Sequence, residues 1–182
     1  MEWSFHLRAL AQYLNRRHGS PNRLRRVRSE GQYRSMKKTK ASSGVPRAQI
    51  AAMPIRRLPN GRLEIMLVTS RTTRRWIVPK GWPIKGLTAP EAAAREAYEE
   101  AGVVGRIAIE PAGRYTYWKR KSDHFVLCEV TLFLLEVERQ LPIWAEQGQR
   151  ESRWFSPEDA ADLVDEPELA TAIRQATMAL AA

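Results

Sequence analysis

The positive charge of this chain is confined to one end, and that confinement decides how much of it can fold. Residues 1–47 hold 12 Lys and Arg against 2 Asp and Glu, whereas residues 48–182 hold 18 of each. A segment so basic, with runs such as Arg23-Leu24-Arg25-Arg26-Val27-Arg28, buries too little apolar surface to offset the entropy of ordering it. The formal charge of +10 therefore belongs to an extension, and the remaining 135 residues are an electrically balanced body of ordinary domain length. The expected division is a basic, disordered extension over 1–47 and a folded domain over 48–182. Within the extension Trp3, Leu7, Leu10 and Leu14 recur at helical spacing beside Arg8, Arg16 and Arg17, the pattern of a short basic amphipathic helix. Docking onto the body, a membrane surface and an organellar import signal are all uses open to such a helix.

The chain is 43% hydrophobic and 27% charged, enough apolar material for one core. Its most apolar stretch, 130–137, is interrupted by Thr131 and Glu136 and falls short of the roughly 18 to 20 residues of a membrane helix, so no transmembrane segment is expected. Cys128 is the single cysteine, which excludes an internal disulfide and a cysteine metal site and fits a reducing, cytoplasmic setting. Apolar runs over 50–55 and 63–69 flank Pro59-Asn60-Gly61, a hairpin signal. A third strand, 76–78, is stopped by Pro79 and leads into a Gly/Pro-punctuated loop over 80–87. Thr88 with Glu91 three residues on forms a capping box, Pro90 lies in the first turn, and Gly102 closes the helix so begun. Further strands are expected over 106–110, 114–118, 125–137 and 152–155, with a short helix capped by Ser156 and a terminal helix over 167–180. Strands and helices mixed in this order give an α/β fold class, a layered domain around one sheet.

The chemistry concentrates where that loop enters that helix. On a wheel of about 100° per residue, Glu99 lies near −60° and Glu100 near +40° from Glu96, so three carboxylates share an arc of about 100°. Ala94, Ala97, Tyr98 and Ala101 fall on the other side, where small residues would seat the helix and leave the acids at its surface. Like charges at this spacing repel by only about 0.2–0.5 kcal/mol, so a solvated acidic face is one reading. The other is a divalent metal site, since Mg2+ takes a few carboxylates, waters and substrate phosphate oxygens rather than a closed protein cage.

Residues 81–103 resemble the Nudix box, written G-x5-E-x7-R-E-U-x-E-E-x-G-U with U a bulky aliphatic. Gly81, Arg95, Glu96, Glu99, Glu100, Gly102 and Val103 match in register, while Leu87 stands where the box has its first Glu and Ala97 is small for a U position. The segment 76–80, the acid-bearing loop 146–151 and Arg153-Trp154-Phe155 are further family-like features, so the resemblance spans 48–182 and leaves the extension without a counterpart. It implies an α/β/α sandwich with a mixed β-sheet, and hydrolysis of a diphosphate linkage supported by Mg2+ or Mn2+. It also implies Glu99 and Glu100 as chief metal ligands, Glu96 as a further ligand or the base, and Arg95 as the group orienting these carboxylates. The backbone carbonyl of Lys80 and an acid from the later loop, Glu151 first and Glu146 second, complete the implied metal set. With Leu87 in place of the first Glu, a working enzyme with altered support for its acids is expected, and a Nudix fold kept only for binding is the competing class. Leu87 itself could pack under the loop.

Cations that could hold a polyphosphate form two clusters in the body, Arg71/Arg74/Arg75 and Lys119/Arg120/Lys121 with His124, while Lys80 and Lys85 lie in the box region. The substrate-binding set expected is Arg71, Arg75, Lys80, Lys85, Lys119, Arg120, Lys121 and His124. The arrangement is similar to the diphosphoinositol polyphosphate and diadenosine polyphosphate branch of the family, so a small polyphosphorylated substrate is expected. Tyr115, Tyr117, Trp118 and Trp144 could supply a face for a base, which keeps nucleoside polyphosphates open. An RNA 5′-pyrophosphate is a third class, because the basic extension could track a nucleic-acid backbone. The resemblance is compatible with a monomer or a homodimer.

Overall fold

The computed structural model of the protein describes residues 44–181. The disorder and the amphipathic helix expected of the extension lie outside the described residues. The first strand, β1 (Arg47–Arg57), starts one residue before the expected boundary and is buried without a break over 49–55. That run is apolar on alternate and intervening positions because both faces of the strand are covered. It lies parallel to β6 (Phe125–Gln140), in register from Arg47 opposite Cys128 to Ile55 opposite Glu136.

The other edge of β1 is shared. Near its end it pairs with β2 (Leu63–Thr69) through the expected hairpin, where Gly61 adopts φ 82° and its N–H donates to Leu58 O at 2.9 Å. Near its start β1 pairs instead with β4 (Lys80–Gly81), which follows β3 (Trp76–Ile77), and Ala52 N–H donates to Pro79 O at 3.0 Å. Pro54 stands at the fork between these partners. Its missing N–H would point the same way as that of Ala52, into the gap, so proline is tolerated in a central strand. β4 occupies part of what the sequence reads as loop, since two residues carry no periodicity.

β5 (Val103–Arg120) and β6 form a long antiparallel pair at one edge. Two strands were expected over 106–118; they are one, with register shifts around Pro111 and Gly113, where proline removes a ladder donor and the chain bulges. At the opposite side β7 (Ser152–Phe155) pairs with β2, completing a mixed sheet of order β3-β2-β1-β6-β5. Helix α1 (Ala89–Ala101) covers one face, its Ala92, Ala93, Ala97 and Ala101 meeting Ile50, Ala52, Met66 and Val68. Helices α2 (Pro157–Leu163) and α3 (Pro167–Ala181) cover the other, with Ala160, Leu169 and Ile173 meeting Ala51, Met53, Ile65 and Leu67. Strand alternation thus sorts one sheet's side chains into two cores, the α/β/α sandwich expected.

Candidate functional site

The capping box that starts α1 is formed as expected: Thr88 N–H donates to Glu91 Oε2 at 2.7 Å, and Glu91 N–H to Thr88 Oγ1 at 3.4 Å. The helix sits differently from the wheel reading. Ala94 and Tyr98 are only half-buried, and Glu100 is on the buried side at 5% exposure, so the acids straddle the seam between helix and sheet rather than standing at the surface. Small alanines let α1 approach β1 and β4 closely, and that approach brings Glu100 inside.

Glu100 is held by two groups. The Lys80 amide donates to its Oε2 at 3.2 Å, and the Arg150 guanidinium pairs with its Oε1. Arg150, almost fully buried, also donates from Nε to Glu146 Oε2 at 2.6 Å and from Nη1 to Thr69 O at 3.0 Å. Burial pushes the Glu100 carboxyl up, opposed by Arg150 and Lys80 and reinforced by Glu146. Glu99 is gripped by Arg95 Nε at 2.5 Å, an i,i+4 pair along the helix. Glu96 faces Gly81 across the seam, and a Cβ at that glycine would collide with the Glu96 carboxylate. A side chain at this position would displace the Glu96 carboxylate, so glycine keeps the seam open for it. Burial, with the fields of Glu100, Glu99 and Glu146, pushes Glu96 up to about 7 against the opposing field of Arg150.

The second glycine of the box, Gly102, has a different reason. Its φ is 67°, the left-handed conformation of a helix cap, and the Trp144 ring lies where a Cβ would be. That contact docks the loop after β6 onto the end of α1, where Leu141 N–H donates to Gly102 O at 2.7 Å and Glu146 N–H to Glu99 O at 3.0 Å. The loop thereby delivers Glu146 and Arg150 to the acids. Glu151, expected first among the loop acids, is placed elsewhere: its carboxylate pairs with Arg74 at 3.2 Å and Arg153 at 3.1 Å. Glu146 is the loop acid brought to Glu96, Glu99 and Glu100.

Among the expected cations, Arg71 reaches Glu146 Oε1 at 3.4 Å and so borders the acids. Arg75 does not. It pairs with Asp165 at 2.9 Å and with the buried Glu166 at 3.3 Å, so two carboxylates already occupy it. Lys80 turns its side chain to the sheet face opposite α1, with Nζ 5.0 Å from the Tyr117 ring centroid. Burial pushes its ammonium down to about 8 despite Glu100 and Glu166. Lys119 is half-buried on the same face, while Lys85 and Arg120 are exposed. Lys121 and His124 close the turn between β5 and β6, Lys121 N–H donating to His124 O at 2.8 Å, and His124 pairs with Asp123. Leu87 does not pack under the loop; its side chain is 41% exposed. The sequence reading missed Arg150 and offered Trp144 only as a face for a base; their contacts with the box join residues more than forty positions apart and leave no local signal.

Among the described residues, no three Asp, Glu, His or Cys side chains converge in a ready-made coordination geometry, since Arg150 and Arg95 hold Glu100 and Glu99. The donor set still suits a hard divalent cation: it is all carboxylate oxygen, and the crowding that raises Glu96 is what such a cation relieves. No helix among the described residues is long and apolar enough to cross a membrane.

The chain is similar to Nudix hydrolase 13, mitochondrial, of Arabidopsis thaliana, at 34% identity over 56% of this chain and 54% of the relative. It is also similar to diphosphoinositol polyphosphate phosphohydrolase 2 of Rattus norvegicus, at 36% identity over 53% of this chain and 52% of the relative. The chain thus spans about half the length of these curated relatives. Among solved structures, the binary complex of the C. elegans Ap4A hydrolase shares the fold, with a TM-score of 0.56, 24% identity, and coverage of 74% of this chain and 97% of that one. The NUDIX domain model matches residues 47–177, from the first residue of β1 into α3 and across every element of the acid site, and the chain belongs to the Nudix family.

Proposed function

We propose that the protein is a metal-dependent hydrolase that cleaves a diphosphate linkage in a small polyphosphorylated molecule, such as a diphosphoinositol polyphosphate or a diadenosine polyphosphate. The observation that carries this reading is the convergence of Glu96, Glu99, Glu100 and Glu146 at the end of α1, with the Glu96 carboxylate against Gly81 and pushed up to about 7. Glu99 and Glu100 are the chief ligands for Mg2+ or Mn2+, with Glu146 as the loop acid and the Lys80 backbone alongside. Bound there, such an ion neutralises charge developing on phosphoryl oxygens. Arg95 fixes the rotamer of Glu99, and Arg150 that of Glu100 and Glu146. Glu96 has the proton affinity suited to taking a proton from water near neutral pH. The substrate class is supported by the name of the rat relative and by cations on the sheet face beside Lys80.

A nucleoside polyphosphate or RNA 5′-pyrophosphate substrate is the alternative within the same chemistry, and a binding module is the alternative class. The latter rests on Leu87 alone, which is exposed where the box has its first Glu. A cytoplasmic setting fits the single buried Cys128, whereas several relatives are named mitochondrial. The test is phosphate release from diphosphoinositol phosphates, diadenosine polyphosphates, nucleoside triphosphates and 5′-triphosphate RNA with Mg2+ or Mn2+, against an EDTA control. The double variant Glu99→Gln, Glu100→Gln is expected to lose more than about 100-fold in turnover while melting cooperatively. Wild-type turnover in that variant refutes the site, and no turnover by folded wild-type chain on any substrate moves the reading to the binding module.

A further inference from the structure

On the sheet face away from α1, Arg47, Lys80 and Lys119 gather, and among the described residues none of them is in an ion pair. Strand register puts them there. Arg47 lies opposite Cys128, which lies opposite Tyr117, and Lys119 follows Tyr117 by two residues on the same face. Each cation rests on an aromatic ring instead of a carboxylate. Arg47 Cζ is 4.5 Å and Lys119 Nζ 4.9 Å from the Trp82 centroid, while Lys80 Nζ is over Tyr117. Trp82 is half-buried and follows directly on Gly81, the glycine against which Glu96 packs. A carboxylate in its place would neutralise the two cations; an aromatic face holds a cation and leaves its charge for another partner.

We propose that Trp82 is the positioning residue of a polyanion seat, its indole holding Arg47 and Lys119 so that they grip substrate phosphates lying beyond the cleaved linkage. The assignment of those phosphates to a substrate rests on the hydrolase reading above. A ring engaged by a guanidinium and an ammonium is not the platform for a nucleobase, so the loop after Gly81 recognises charge. Substrates with several phosphates are then preferred to those with one diphosphate, such as ADP-ribose.

The probe is inorganic tripolyphosphate, which has neither base nor sugar, titrated calorimetrically into the full chain without metal, with adenosine in parallel. Trp82→Ala is expected to weaken tripolyphosphate binding about tenfold, and Trp82→Phe, which keeps a ring, to stay within about threefold of wild type. Arg47→Gln, at an exposed position, is expected to reproduce the loss and guards against a folding defect in Trp82→Ala. In the hydrolase assay Trp82→Ala raises KM for the polyphosphate about tenfold with kcat within about twofold, and leaves both constants for ADP-ribose near wild type. Wild-type tripolyphosphate binding by both Trp82→Ala and Arg47→Gln overturns the seat, as does no binding by wild type, or a loss in Trp82→Ala confined to adenosine. A chain that binds tripolyphosphate through Trp82 yet cleaves nothing supports the seat and refutes the hydrolase reading.

Discussion

Replacing Gly102 by alanine tests whether one glycine couples the end of the box helix to the loop that carries Glu146 and Arg150. Two costs add. A non-glycine residue at φ 67° loses roughly 1–2 kcal/mol in the left-handed region. The new Cβ would also lie 2.6 Å from Trp144 Cδ2 and 2.7 Å from Cε3, an overlap of the kind that costs about 1–3 kcal/mol in a packed core. The expected loss is therefore about 2–5 kcal/mol, which for a domain of this size lowers Tm by roughly 4–20 °C. Displacing Trp144 also draws Glu146 N–H away from Glu99 O, so turnover falls further than stability alone requires. The assay is thermal melting and hydrolysis of Gly102→Ala, Trp144→Ala and the double variant. Because the overlap needs both side chains, the double variant should lose less than the sum of the singles by about 1 kcal/mol or more. A Tm for Gly102→Ala within about 1 °C of wild type, or strict additivity in the cycle, refutes the reasoning.

Two further outcomes follow from the charges. Arg150→Met leaves the buried Glu100 and its neighbour Glu146 without their shared cation, and should cost about 3–5 kcal/mol at neutral pH in urea melts. Millimolar Mg2+ should stabilise that variant more than wild type, and equal stabilisation would show that these carboxylates are not the metal ligands. Glu96 holds, in the folded metal-free chain, a proton that the unfolded chain gives up near the ordinary value of 4.5. Its contribution to stability is therefore full below about 4.5 and lost as pH rises through about 7. Urea midpoints in EDTA from pH 5 to pH 8 should fall less in Glu96→Gln than in wild type; equal slopes would place the titrating group elsewhere.

What was legible in the sequence is what a chain decides within a few residues. The Pro59-Asn60-Gly61 hairpin, the Thr88–Glu91 cap and the αL glycine after α1 depend on neighbours, and each formed where its residues stand. The gathering of Glu96, Glu99 and Glu100 on one arc follows from helix geometry alone. Burial of Glu100 was not legible, because it depends on how closely α1 sits on β1 and β4, a distance set by residues from other parts of the chain. The choice between Glu146 and Glu151 was equally hidden. Both are acids of one loop, and it is the Trp144 contact with Gly102 that turns the first toward α1, while Arg74 and Arg153 hold the second.

The shortest strands govern the arrangement of charge. Successive residues of β4 point to opposite faces, so Gly81 meets Glu96 beneath α1 while the Lys80 side chain lies over Tyr117 on the other side. Only the Lys80 amide turns toward the acids, as donor to Glu100. A slip of one residue in the pairing of β4 with β1 would exchange these faces, bringing a flexible ammonium among Glu96, Glu99 and Glu100 and driving a side chain into the space the glycine leaves. The cations that do reach the acids are arginines, whose planar guanidinium pairs at fixed geometry and leaves the remaining carboxylate oxygens directed elsewhere. The fork at Pro54, which hands β1 from β2 to β4, thus separates a face that concentrates negative charge from one that concentrates positive charge, with a single strand between them.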